Sequence, residues 1–196
     1  MKNKIVVIFA LVLHGLCVTD VGAQNSSTVI GGGSLARECF DLSQHAAMSR
    51  SASRMDVAVC DKAVFQGSLN KSELAATFSN RGVIHMAMEE LKEAYRDYNR
   101  AIEIDPLLAE AYINRGNLWF AVQKFEEAVK DYDKALELGA AKSFVALLNR
   151  GLAHENLGGF LQAKKDYTAA LNIKPEWTLA TDKLRRIERK LKGNSE

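Results

Sequence analysis

Apolar and small residues recur at spacings of three and four along most of this chain, and the pattern itself repeats. Asn80-Arg81-Gly82, Asn114-Arg115-Gly116 and Asn149-Arg150-Gly151 stand 34 and then 35 residues apart. Each is followed by an alanine (Ala94, Ala128, Ala163), an Asp-Tyr pair (Asp97-Tyr98, Asp131-Tyr132, Asp166-Tyr167) and a second alanine (Ala101, Ala135, Ala170). In the clearest copy, Tyr112, Gly116 and Trp119, then Phe125, Ala128, Tyr132, Ala135 and Leu136, keep helical spacing. This predicts one helix over 109–122 and a second over 125–138. Gly116 and Ala128 are small where the two helices should cross. One hairpin cannot bury both faces, so successive copies must stack. The expected fold is all-α, a solenoid of antiparallel helix pairs.

The pattern closely resembles the tetratricopeptide repeat (TPR) family. Its positions read Phe78, Gly82, His85, Leu91, Ala94, Tyr98, Ala101, Pro106; then Tyr112, Gly116, Trp119, Phe125, Ala128, Tyr132, Ala135, with Ala140 in place of proline; then Leu147, Gly151, His154, Phe160, Ala163, Tyr167, Ala170, Pro175. The resemblance spans 75–175 and divides the chain into repeats at 75–108, 109–142 and 144–177. One departure recurs: arginine precedes the glycine (Arg81, Arg115, Arg150) where the family usually has leucine. An aspartate precedes every second-helix tyrosine. Arginine suits bidentate carboxylate pairing, so each is expected to reach an aspartate at the helix–helix seam. The competing reading leaves the heads in water while the stems cover apolar surface.

The first 23 residues read as a secretory signal peptide. Lys2 and Lys4 lead an apolar run from Ile5 to Leu13, and Val21-Gly22-Ala23 supplies small residues for cleavage before Gln24. The run is too short and interrupted for a lasting span; an uncleaved anchor is the competing reading. A periplasmic or secreted location follows. Residues 24–34, with Gly31-Gly32-Gly33, read as a flexible leader. Cleavage removes Cys17 and leaves Cys39 and Cys60 as an even pair, expected to form a disulfide in an oxidising compartment. Both lie in a degenerate first repeat over 35–70, with helices near 37–50 and 56–65. The bridge would contribute about 3 kcal/mol by constraining the unfolded chain.

Charge excludes one class of partner. The processed chain carries 24 basic and 23 acidic residues, leaving no strong electrostatic footprint for nucleic acid. Residues 176–192 read as an amphipathic helix, with Trp177, Leu184, Ile187 and Leu191 on one stripe and Lys183, Arg185, Arg186, Arg189, Lys190 and Lys192 opposite. A capping helix over 178–192 is the principal expectation; a weak contact with the envelope surface is the sharper one.

In the family that the repeats resemble, the first helices line a concave groove. The resemblance therefore points to Asn80, Val83, Ile113, Asn114, Asn117, Phe120, Leu148, Asn149 and Leu152 as candidate partner-binding residues, with Ser79, Met86 and Glu155 alongside. Amides at 80, 114 and 149 can donate to and accept from an extended peptide backbone; their alternative task is to bond nearby backbone or adjoining repeats. Family members that clamp carboxylate tails of cytosolic chaperones need basic residues where Ser79, Val145 and Asn149 stand here, and only Asn114 matches them. That activity is not expected.

Catalytic signatures are absent from the sequence. His45, His85 and His154 lack metal-ligand spacing, and no HExxH, Walker or GxSxG motif occurs. Cys39 and Cys60 lack C-x-x-C spacing. The chain is therefore not expected to be an enzyme or to carry a cofactor or metal. The expected role is a scaffold or adaptor of the cell envelope, of exported bacterial type, that binds an extended or helical protein segment. A peptidoglycan- or polysaccharide-associated protein, or an inert accessory subunit of an envelope enzyme complex, is the alternative.

Overall fold

A computed structural model describes residues 33–66 and 68–193. Every regular element among them is a helix: α1 Gly33–Ser49, α2 Arg54–Gln66, α3 Lys71–Ala87, α4 Leu91–Ile104, α5 Ala109–Ala121, α6 Phe125–Glu137, α7 Ser143–Asn156, α8 Phe160–Ile173 and α9 Thr178–Gly193. The expected signal peptide, leader residues 24–32 and Gly67 lie outside the described residues. The leader was expected to run to 34, but residues 33 and 34 already belong to α1. The helix pair expected at 109–122 and 125–138 agrees with α5 and α6 to one residue.

Local chemistry explains the boundaries. The α3 helix starts before residue 75 because Asn70 caps it. Its side chain accepts from the Glu73 amide at 2.9 Å, and Glu73 accepts from the Asn70 amide at 2.9 Å, a capping box. The first helix of each repeat ends on a residue with left-handed backbone: Glu89 at φ 60°, Gln123 at φ 64° and Gly158 at φ 79°. The next amide returns to the last turn, Glu90 to the His85 carbonyl at 2.9 Å, Lys124 to Trp119 at 2.8 Å and Gly159 to His154 at 2.8 Å. That is the bonding of a Schellman ending, and only the third copy uses the residue that adopts it without strain.

The core follows the repeat. Tyr98, Tyr132 and Tyr167 are buried, as are Ala94, Ala101, Ala128, Ala135, Ala163 and Ala170. The sequence pattern sets glycine against alanine at the crossing, but the closest approach is to a ring. A Cβ on Gly82 would lie 2.5 Å from Tyr98 Cε1, on Gly116 2.7 Å from Tyr132 Cε1, and on Gly151 2.7 Å from Tyr167 Cε1. Each tyrosine ring thus lies against the bare backbone of the facing helix.

Both ends of the stack are modified. At the N-terminal end Cys39 and Cys60 are joined by a disulfide, and both are fully buried. At the other end α9 keeps the register of a first helix: Ala180 and Ile187 are buried, as are Ala146 and Ala153 thirty-four residues earlier. The same register sets Arg185, exposed, where Gly151 stands. The outer face of α9 offers no bare backbone for another tyrosine.

Gly116→Ala should destabilise the protein by about 1 kcal/mol net, because overpacking costs about 1–3 kcal/mol and the gain in helix propensity returns at most about 1 kcal/mol. Gln123→Gly should move the other way by about 1 kcal/mol, by relieving the left-handed residue. Chemical denaturation checks both. A stabilised Gly116→Ala variant would show that the ring does not bear on residue 116.

Candidate protein-binding face

The repeats are joined by a charged seam. Arg81 donates to Asp97 from Nε at 2.9 Å and Nη2 at 2.6 Å. Arg115 holds Asp131 in the same way at 2.8 and 2.7 Å, and Arg150 holds Asp166 at 3.0 and 2.6 Å. The third nitrogen of each fork reaches back to the preceding second helix: Arg81 Nη1 to Asp61 at 2.6 Å, Arg115 Nη1 to Asn99 at 2.7 Å and Arg150 Nη1 to Asp133 at 2.6 Å. Asp61 on α2 therefore stands in the place of Asn99 and Asp133, and Cys60, one residue earlier, in the place of Tyr98 and Tyr132. The arginine pairing expected from sequence is observed, and it spans two repeats at once. Phe78 and Tyr112 lie beneath the Arg81 and Arg115 heads, at 5.1 and 5.6 Å. The hydrogen bond to the repeat's own aspartate is the main cause that raises each guanidinium pKa above its ordinary value, against the opposing effect of burial.

The nine residues expected to line a groove share one buried layer of α3, α5 and α7. Asn80, Val83, Ile113, Asn114, Asn117, Phe120, Leu148, Asn149 and Leu152 are each between 1 and 5 % exposed. An open ladder of amides at 80, 114 and 149 is not what forms. Asn114 Nδ2 donates to Ser79 Oγ at 3.0 Å. Asn149 Nδ2 donates to Asn117 Oδ1 at 2.9 Å, and the Tyr132 hydroxyl donates to the same oxygen at 2.7 Å. Asn114 and Asn149 each reach one repeat back, because stacking brings successive first helices side by side. One end of three amides has no partner: Asn80 Oδ1, Asn117 Nδ2 and Asn149 Oδ1. Burial also holds the Tyr132 hydroxyl protonated well above the usual tyrosine range.

His85 and His154, which take the position of Trp119 in their repeats, do more than pack. His85 is buried and lies 2.7 Å from Glu90 through Nδ1, and Glu90 also pairs with Arg54 of α2 at 2.5 Å. His154 lies 3.9 Å from Asp166. Trp119 instead packs at a tilt against Tyr95, with centroids 5.1 Å apart, and carries Lys124 at 5.0 Å. Among the described residues no group of three or more His, Cys, Asp or Glu side chains is arranged to hold a metal ion, and no helix is long and apolar enough to cross a membrane.

Sequence reasoning missed a second charged centre. Glu155 stands in the slot that Met86 and Phe120 fill in the earlier copies. Arg186 of α9 donates to both its oxygens from Nη2, at 2.7 and 2.8 Å. The Tyr167 hydroxyl donates at 3.1 Å, and Lys190 Nζ lies at 3.5 Å. Lys183 lies half-buried nearby, its pKa lowered first by burial and then by Arg186. The basic face of α9, expected to point to water, thus turns partly inward. The signal was a charged residue in a slot that is otherwise apolar.

The same hairpins match known repeats. Residues 75–106 and 109–139 match one family model described as tetratricopeptide repeat, and residues 145–176 match a second of the same description. These three helix pairs are tetratricopeptide repeats. Among solved structures, the first TPR of Spaghetti (RPAP3) bound to the HSP90 peptide SRMEEVD is 29% identical, with TM-score 0.59, over 61% of this chain and 94% of that one. The second TPR domain of human RPAP3, in complex with the HSP70 peptide SGPTIEEVD, is 28% identical, with TM-score 0.57, over 61% and 98%. MamA from MSR-1 is similar in fold over 81% of this chain and 87% of its own, at 18% identity and TM-score 0.58. No curated protein matches the sequence.

Asp131→Asn should cost about 2 kcal/mol of stability, because it strips a charge from a nearly buried fork. Asp133→Asn, at the half-exposed end of the Arg150 contact, should cost under about 1 kcal/mol. Equal losses in urea denaturation would show that burial of the carboxylate does not set the strength of these contacts.

Proposed function

We propose that this chain is an exported, non-catalytic scaffold that holds an extended or helical segment of a partner protein along its first-helix face. The observation that carries this reading is the row of half-satisfied amides on α3, α5 and α7. Folded proteins pair nearly all their buried polar atoms, and an unmet one costs about 1–3 kcal/mol. A peptide backbone supplies both donors and acceptors for Asn80, Asn117 and Asn149 once the layer opens to admit it. The similar RPAP3 structures carry bound peptides, which supports a peptide ligand here. The chaperone tail itself is disfavoured, since Ser79, Val145 and Asn149 replace the basic residues that such a clamp requires.

Export to a cell envelope is the second part of the reading. The 1–23 segment supports it, and so does the Cys39–Cys60 bridge, since disulfides persist in oxidising compartments. Mass spectrometry of protein recovered outside the cytoplasm should find Gln24 as the first residue; recovery only as an uncut chain inside the cell would overturn export. The partner is tested by capture from an envelope extract, with and without muramidase, using the chain and an Asn80→Ala/Asn117→Ala/Asn149→Ala variant. Retention of one defined protein after wall digestion, lost in the variant at unchanged melting temperature, is the expected result. Loss of all retention after digestion would favour the wall-polymer reading. A lower melting temperature in the variant with retained capture would assign the amides to packing.

A further inference from the structure

Glu155 closes the C-terminal end of the first-helix face, in the slot held by Met86 and Phe120 in the preceding copies. A carboxylate there needs a counter-charge, and α9 brings more than one. Arg186 and Lys190 both contact it, and Lys183 lies on the same side of α9, three and seven residues away along the helix. Tyr167 already donates its hydroxyl to the same carboxylate. One negative charge therefore faces three positive ones. Arg186 spends a single nitrogen on Glu155, so its Nε and Nη1 remain available to a further acceptor. Lys190 also lies over the Phe160 ring at 4.8 Å, which fixes its direction. Among the described residues no ion pair holds Lys183, half-buried beside Arg186.

We propose that Lys183, Arg186 and Lys190 form an anion site at the C-terminal end of the first-helix face, and that its occupant is a carboxylate on the bound segment of a partner protein. The proposal deepens the scaffold reading and rests on it. It fixes the polarity of the ligand, with the acidic side chain or chain end at α9 and the neutral backbone along the amides of α3, α5 and α7. A carboxylate fits because it can take two guanidinium hydrogens side by side. Charge complementarity selects an acidic segment over a neutral or basic one. The site differs from a clamp on the first helices, since its cations come from the terminal helix.

The probe is fluorescein-labelled hexaglutamate, titrated into the full chain and followed by anisotropy, with amide shifts read by NMR. The expected result is saturable binding, with shifts centred on Lys183, Arg186 and Tyr167. Lys183→Gln should weaken it about tenfold with unchanged melting temperature, because no ion pair among the described residues depends on Lys183. Arg185→Gln removes a cation from the opposite face of α9, where its partner is Asp182 at 3.3 Å, and should leave binding within about twofold. Equal weakening by the two variants would overturn the site, since only diffuse charge would then be acting. Binding to vesicles of anionic phospholipid with none to hexaglutamate would overturn it in favour of a membrane surface. Hexaglutamate that fails to bind while a defined envelope protein is still captured would sink the anion site and leave the scaffold reading standing.

Discussion

Three arginine forks hold this stack in register. Each guanidinium spends two nitrogens on the aspartate of its own second helix and a third on the second helix before it. One side chain therefore sets both the angle within a hairpin and its placement on the neighbour. Planarity makes this work: the five donors lie in one plane, so a fork that grips one partner has little freedom in where it presents the rest. Lysine in the same slot would supply charge without direction. The recurrence at Arg81, Arg115 and Arg150 shows the device used at the three junctions from the disulfide hairpin to α7, whereas Leu184 takes the arginine's place where α9 joins.

The tyrosines depend on that geometry. Each ring meets bare glycine backbone at a separation that no Cβ tolerates, so a small rotation of the hairpin would lose the fit. The rings in turn keep water from the aspartates beside them, since Asp97, Asp131 and Asp166 are all buried. Charge pairing and apolar packing here reinforce each other. The N-terminal hairpin solves the same problem with other chemistry, and Cys60 carries a covalent link where the next repeats carry a ring.

Much of this was legible in the sequence. Gly116, Ala128 and Tyr132 gave the helix pair its spacing, and the paired recurrence of Arg115 and Asp131 gave the fork. Cys39 and Cys60 were readable as a bridge because the export signal made an even pair meaningful. What was not legible lay between elements distant in sequence. Asn149 was expected to face a ligand, yet it bonds Asn117 thirty-two residues earlier. Whether a polar position on a first helix lies open or enclosed depends on how closely the neighbouring repeat stacks, and periodicity carries no measure of that distance. Glu155 was placed on the groove face, but its pairing with Arg186 and Lys190 was not legible, because those partners come from a helix that the pattern treats only as a cap. Glu89 and Gln123 hid their left-handed backbone because neither residue type advertises it, whereas Gly158 does.

Arg185 decides what α9 can receive on its outer side. A second helix packed on α9 as α8 packs on α7 would lay its tyrosine ring on Arg185, the residue in register with Gly151. A guanidinium at that spot leaves the ring no bare backbone, so α9 does not receive a partner helix in the way that α3, α5 and α7 do.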